Sequence, residues 1–303
     1  MRIPAELAST LLAAVEAGTL EAAARRLRLT PSAVSQRIRA LEEQLGRVLL
    51  VREKPVRVTP AGEPILRLAR QLALLEQEAL TEIRGPGAER ARIPIAVNAD
   101  SLETWLLAPL AAAAERLPIL VEAHREDEAR TARMLESGAA MAAVTSRGDP
   151  VPGCTATPLG TMRYRAVATP AFIDRWFGAG GEGWAEAPRI DFDTADDMQG
   201  RRLRELGVDP QLAPAHRIPS SAGFAAAVLA GVGWGMLPEL QSRQPLADGR
   251  LVALDGPPID VVLYWQQWHL RSELLDALAT EVGQAARAAL RPIGGGRAQR
   301  RQT

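Results

Sequence analysis

Residues 19–46 read TLEAAARRLRLTPSAVSQRIRALEEQLG, two short helical stretches split by a turn, and no other segment constrains the chain as tightly. Thr19 and Thr30 are good N-cap residues, Pro31 sits in a first turn where its missing N–H costs nothing, and Gly46 suits a left-handed helix stop. The second helix is therefore expected from Pro31 to Leu45. Along it Val34, Ile38, Leu41 and Leu45 recur at i, i+4, i+7 and i+11, while Ser32, Ser35, Gln36 and Arg39 repeat on a different face. One stripe packs, and the other is free to enter a groove.

Serine, glutamine and arginine are side chains that hydrogen-bond base edges and phosphate oxygens, and a helix fits the major groove of B-DNA. Periodicity alone describes an ordinary surface hairpin equally well. The flanking sequence shifts the balance: RVLLVREKPVRVTPAG, directly after Gly46, reads as two short β-type runs around Glu53-Lys54-Pro55, the wing of a winged helix-turn-helix. Arg47, Arg52, Lys54 and Arg57 would then lie near phosphates. The expected DNA contacts are Thr30, Pro31, Ser32, Ser35, Gln36, Arg39, Arg52 and Arg57.

From Pro60 to Arg84 the chain reads as one long helix, with Ile65, Leu68, Leu72, Leu75 and Ala79 at 3, 4, 3, 4 spacing. Such a heptad seam is expected to pair with a second copy, the alternative being a helix lying on its own domain. Arg67, Arg70, Gln71, Glu78 and Glu82 keep the opposite face polar. Gly85-Pro86-Gly87 should end the helix and form a hinge.

Net charge is zero, but residues 1–92 carry 15 Lys+Arg against 11 Asp+Glu, so a basic head precedes an acidic body. That distribution suits a polyanion at one end only. Cys154 is alone and can form no internal disulfide, the N-terminus lacks an apolar secretion core, and no apolar run approaches membrane-spanning length. A cytoplasmic chain without a membrane role is expected.

The run AAARRLRLTPSAVSQRIRALEEQLGRVLLVR, followed by VTPAG, resembles the N-terminal signature of LysR-type transcriptional regulators. IAVNADSLETW (Ile95 to Trp105), SRGDPVPGC and LGTMRYRAVATP resemble more narrowly the LysG/ArgP branch, regulators of basic amino-acid export. The resemblance implies a multidomain α+β chain: a winged helix-turn-helix domain over 1–59, a linker and dimerisation helix with its hinge over 60–88, and a two-lobed α/β effector domain over 89–303, similar to periplasmic binding proteins. Lobe I would take about 92–163 and 267–290, lobe II about 164–266, with 291–303 a flexible tail. It also implies a homodimer or homotetramer on a double-stranded operator, RNA polymerase as a further partner of an activator, and L-lysine or L-arginine as effector. An effector would change the angle between the lobes and so the spacing of the DNA-binding heads.

The body's own pattern agrees in class, strands alternating with helices as in a mainly parallel sheet. Strands are expected at Ile93–Val97, Ile119–His124, Ala140–Thr145, Tyr164–Ala168, Arg189–Phe192, Gly233–Leu237 and Ile259–Trp265, with helices at Ala222–Ala230 and Ser272–Leu290. Ligands bind such sheets at the carboxyl ends of strands, so the residues that follow each strand are the candidates for a ligand site. Asn98, Asp100 and Ser101 open a helix that could hold a carboxylate, or Asp100 could simply cap it with Glu103 closing a capping box. Glu126 and Asp127, in the acidic run after the second strand, would meet a cation, or merely form a solvated face. Thr145, Ser220 and Ser221 would supply donors, and Trp105 and Trp265 would floor the pocket or pack in the core.

Enzymatic readings lack their residues. His124-Arg125-Glu126 matches the H-x-E of a zinc deaminase, but the P-C-x-x-C partner is missing. G-x-S-x-G, H-E-x-x-H and P-loop motifs are absent, GAGGEG at Gly178–Gly183 reads as a loop, and His216 and His269 have no ligand-spaced partner. No catalytic residue, metal or cofactor is expected. The competing reading is a solute-binding or enzymatic α/β protein whose N-terminal helices only dimerise it.

Overall fold

The computed structural model describes residues 2–84, 90–178 and 183–293. The Gly85-Pro86-Gly87 hinge, most of the GAGGEG loop and the tail from residue 294 lie outside the described residues.

Three helices build the head: α1 (Ala5–Ala17), α2 (Leu20–Leu27) and α3 (Pro31–Leu45). Thr19 Oγ1 accepts from the Ala22 N–H at 3.1 Å and Thr30 Oγ1 from the Ala33 N–H at 3.2 Å, so both expected caps form. α1 was not among the expected elements, although its Ala8, Leu11 and Leu12 are buried at helical spacing. The turn between α2 and α3 passes through Arg28, a non-glycine residue at φ 55° whose N–H closes α2 on the Ala24 and Arg25 carbonyls. Leu11, Ala14, Ala24, Val34, Ile38 and Leu41 pack into one core with Leu49, Leu50 and Val56 from the wing. At about 1.5–3 kcal/mol for each fully buried large aliphatic, this small core holds the head together.

The wing is the antiparallel pair β1 (Leu50–Val51) and β2 (Arg57–Val58). Gly62 follows, and a Cβ there would stand 2.5 Å from the Leu49 carbonyl oxygen and 2.6 Å from Val58 Cγ2, so no other residue fits. The Gly62 N–H donates to the Thr59 carbonyl at 2.8 Å, a turn that delays the linker helix α4 (Glu63–Arg84) to Glu63 instead of Pro60. Leu66 and Ala69 of α4 are buried against Ala8 and Leu12 of α1, and Ile65 packs on the same head core. Ile65, half-buried, thus packs on the head of its own chain. Leu68 and Leu72 are partly buried, and Leu75 is exposed.

The body continues with β3 (Ala91–Val97), α5 (Ala99–Ser101), a π-helical turn (Leu102–Leu106), α6 (Leu107–Arg116), β4 (Ile119–Arg125), α7 (Glu128–Ser137) and β5 (Ala142–Thr145). Next come β6 (Cys154–Ala168), α8 (Pro170–Trp176), β7 (Arg189–Asp191), α9 (Met198–Glu205), β8 (Ala215–Arg217) and α10 (Ser221–Leu229). β9 (Gly235–Pro238), α11 (Glu239–Ala247), β10 (Val252–Ala253), β11 (Ile259–Trp268) and α12 (Glu273–Ala289) complete it.

Contacts divide the chain into two compact units. The first joins Met1–Val97, Leu110–Thr157 and Trp265–Glu281. In it β3 pairs in parallel with β4 (Ile95↔Ala123) and β5 (Ile95↔Ala142). Ile93 to Val97 is buried throughout, as expected of a central parallel strand covered on both faces. The second unit takes Asn98–Pro109, Pro158–Tyr264 and the chain from Val282. There β6 pairs antiparallel with β9 and β10, β7 pairs in parallel with β8, and Val167, Ile190, Phe224, Val228 and Leu237 form a core. β6 and β11 run covalently from one unit into the other, so the expected Tyr164–Ala168 and Ile259–Trp265 captured only part of each. Asn98–Pro109, expected with lobe I, groups with the second unit, where Asp100 is hydrogen-bonded to Tyr164 and Ser221.

Candidate functional site

On α3 the buried stripe is Val34, Ile38 and Leu41, which leaves Ser32, Gln36 and Arg39 exposed and Ser35 half-exposed on the other face. The Thr30 hydroxyl is occupied by its cap and lies 3.0 Å from Ser32 Oγ, while Pro31 starts the helix. Arg37 reaches Glu6 of α1 at 3.4 Å and steadies the helix from behind. Glu42 takes the N–H groups of Leu49 and Leu50 at 2.8 and 3.3 Å, which fixes the wing on the same helix. The Arg52 guanidinium stands 3.9 Å from Glu42, and Arg57 projects from β2 into solvent. An exposed donor-rich helix face beside a cationic hairpin is the geometry that docks in a major groove with its wing on the phosphates.

In the second unit a carboxylate is assembled from distant parts of the chain. Asn98 Oδ1 accepts the Ser101 N–H at 2.7 Å, so Asn98 and not Asp100 caps the helix after β3. That frees Asp100. Its Oδ2 accepts the Tyr164 hydroxyl at 2.7 Å, its Oδ1 accepts the Ser221 hydroxyl at 2.6 Å, and Gln241 Nε2 donates to Ser221 Oγ at 3.0 Å. Burial pushes the Asp100 carboxyl above the usual carboxylate range, the hydroxyls of Ser221 and Tyr164 pull it back, and nearby Asp196 pushes it up again. The Tyr164 phenol is pushed well above its usual value by burial and then by the neighbouring Asp100.

Three buried polar atoms on these same segments have no hydrogen-bond partner: Ser101 Oγ, Trp105 Nε1 and Gln241 Oε1. Unmatched buried donors and acceptors are expensive, and these three lie on the segments that carry Asp100 and the partner of Ser221. Trp105 lies in the π-helical turn Leu102–Leu106, an irregularity common at functional sites. Ser220 is less available, because its hydroxyl caps α10 by accepting the Gly223 N–H at 3.1 Å. Tyr164 and Gln241 were not expected here.

The other expected ligand residues sit in the first unit with partners of their own. Asp127 caps α7, accepting the Arg130 N–H at 2.7 Å, and Glu126 pairs with Arg130 at 3.5 Å. Thr145 Oγ1 accepts the Arg147 N–H at 3.2 Å. Trp265 is 2 % exposed and its indole donates to Gln267 Oε1 at 2.7 Å, which makes it core packing. The acid run after β4 is thus a helix cap with a surface ion pair. Among the described residues no group of three or more His, Cys, Asp or Glu could hold a metal, and no helix is long and apolar enough to cross a membrane.

Residues 6–63 match the family described as bacterial regulatory helix-turn-helix protein, lysR family, and residues 86–287 match the LysR substrate binding domain. The chain is 46% identical over 281 residues to the HTH-type transcriptional regulator LysG of Mycobacterium tuberculosis, covering 92% of each chain. It is similar to the crystal structure of ArgP from Mycobacterium tuberculosis, with a TM-score of 0.85, 44% identity, and coverage of 96% of this chain and 100% of that one. Full-length LysG from Corynebacterium glutamicum, with bound effector Arg, is similar at a TM-score of 0.80 and 39% identity over 96% of this chain and 100% of that one.

Proposed function

Because the chain belongs to the LysR family of bacterial transcriptional regulators, we propose that it reads an operator through α3 and the wing and answers to a basic amino acid, L-arginine or L-lysine, held at Asp100. It acts by binding, not by catalysis, in the cytoplasm, and controls an exporter gene as a homodimer or homotetramer. The competing reading, an α/β body with a mere dimerisation module, gives way to the match of residues 6–63 to a DNA-binding family.

The observation that carries the ligand class is the environment of Asp100. A shielded carboxylate with two hydroxyl donors is one charge short of neutrality, and an unpaired charge leaving water costs several kcal/mol, so the favourable guest is a cation. The guanidinium or ammonium of the amino acid would lie on Asp100. Its carboxylate would take the buried Ser101 hydroxyl and Trp105 N–H, which lack partners. The arginine bound to the Corynebacterium glutamicum relative supports the same class.

Calorimetry on the full chain with L-arginine, L-lysine and L-leucine tests this. The two basic amino acids should bind and leucine should not, and Asp100→Asn should weaken arginine by roughly 10-fold or more, the loss of a charge-assisted hydrogen bond. Equal binding of leucine, or an Asp100→Asn variant that binds like the parent, sinks the reading.

A further inference from the structure

The linker helix α4 is fastened to the body at two points by charges of opposite sign. Arg70 donates through its guanidinium to the carbonyl of Gly138, the left-handed residue that ends α7. Eight residues on, Glu78 accepts the Ser272 hydroxyl at 2.5 Å and the Leu274 N–H at 3.0 Å, at the start of α12. Ser272 Oγ in turn accepts the Leu275 N–H at 3.2 Å. A cation thus meets the negative C-terminal end of one helix and an anion meets the positive N-terminal end of another, both complementary to the helix dipoles. Reversing either charge would set like against like. Leu74, 2 % exposed, is buried on α4 between them.

Two further observations make this a fitted joint. Gly138 is at φ 75°, and a Cβ there would stand 2.7 Å from Arg67 Cβ and 2.8 Å from Arg67 Cα, so α4 lies against α7 at a distance only glycine allows. The Arg70 side chain is 11 % exposed, and its other neighbour is Glu16 of α1 at 3.8 Å, which also holds Arg26 of α2 at 2.6 Å. Burial lowers the Arg70 pKa, opposed by Glu16 and Glu122. One side chain therefore touches the head, through Glu16, and the end of a body helix, through Gly138.

We infer that Arg70 and Glu78 are positioning residues, a two-point clasp that sets the DNA-reading head against the α7 and α12 ends of the body, so that binding in the body is reported to the head through α4. The inference rests on the effector reading above only for the identity of the signal. The clasp itself is independent of it.

The test uses full-length parent, Arg70→Gln, Arg70→Lys, Glu78→Ala and Gly138→Ala proteins, and a DNA duplex enriched from a random-sequence pool by the parent. Amide hydrogen exchange at Leu274 and Leu275 should rise about 10-fold or more in Glu78→Ala, as expected when a partner that closes a helix end is removed. Arginine affinity by calorimetry should stay within about twofold of the parent in all variants. The ratio of DNA affinities with and without arginine should collapse toward one in Arg70→Gln, Glu78→Ala and Gly138→Ala, with partial recovery in Arg70→Lys. A merely structural role would lower DNA affinity in both conditions and leave that ratio unchanged, which overturns the clasp. So does unchanged exchange in Glu78→Ala. If the parent's DNA affinity ignores arginine and lysine alike, the effector reading fails alone. The clasp is then decided by exchange and by a head-to-body distance between spin labels at Arg25 and Arg133, which should broaden in Arg70→Gln and would overturn the clasp by staying as sharp as in the parent.

Discussion

Tyr164 gives its phenolic hydroxyl to Oδ2 of Asp100 at 2.7 Å, and Ser221 gives its own to Oδ1 at 2.6 Å, so a carboxylate next to a helix start is held by residues 64 and 121 positions away. Burial nonetheless dominates and raises its pKa. A carboxyl raised above its unfolded value of about 3.9 contributes stability that is full below that pH and is lost as pH rises through the folded value. Ionising Asp100 therefore burdens the unliganded fold. Asp100→Asn should leave the melting temperature of the ligand-free chain at pH 7.5 equal to or above the parent's, while the rise on adding arginine disappears. A fall of more than about 4 °C, roughly 1 kcal/mol or more in a domain of this size, would make the carboxylate a structural group instead.

Acid should weaken the ligand through the same residue. As pH falls through the folded pKa, Asp100 takes up a proton and loses its attraction for a cation. Tyr164→Phe removes a donor that favours the charged form, so the loss of arginine affinity should begin at higher pH in that variant. Calorimetry over a descending pH series reads this directly. Superimposable profiles for parent and Tyr164→Phe would show that the phenol does not tune the site.

DNA recognition should divide between helix and wing. Gln36→Ala or Arg39→Ala removes an exposed side chain of α3 and should cost about 1–3 kcal/mol with relaxed specificity at one position. Arg57→Ala should weaken all sequences alike and reduce the salt slope by about 1. Arg52 already faces Glu42 at 3.9 Å, so its loss should be the smaller of the two. Titrations of selected and scrambled duplexes at two salt concentrations separate these effects, and a Gln36→Ala, Arg39→Ala double variant indistinguishable from the parent would reject the α3 assignment.

Local signals were legible and distant pairings were not. α3 lies at Pro31–Leu45 because Thr30, Pro31 and Gly46 act within one helical turn of its ends. Asp100 could be picked out by its place after a strand, but Tyr164 and Gln241 lie far along the chain, and no periodicity links residues that meet only after folding. Asp127 shows the converse. Its cap on Arg130 was written in a local Asp-to-helix pattern, yet the charge run around it suggested a ligand. The seam on α4 is ambiguous at Ile65, which packs on the head, because a heptad does not say whether its partner is a second chain or the head's own α1.

That ambiguity on α4 can be resolved by contrasting its two faces. Leu66, 2 % exposed, belongs to the head core, so Leu66→Ala should cost about 2–5 kcal/mol in urea unfolding with the mass unchanged. Leu75 and Ile83, 36 % and 80 % exposed, leave apolar surface on the same helix with nothing from this chain over it among the described residues. A second copy laid along Leu72, Leu75 and Ile83 would bury it in coiled-coil fashion. Leu75→Glu with Ile83→Glu should therefore reduce the sedimenting mass, make unfolding independent of protein concentration, and weaken DNA binding because two half-sites are no longer read together. An unaltered mass in that double variant would move the interface off the linker helix.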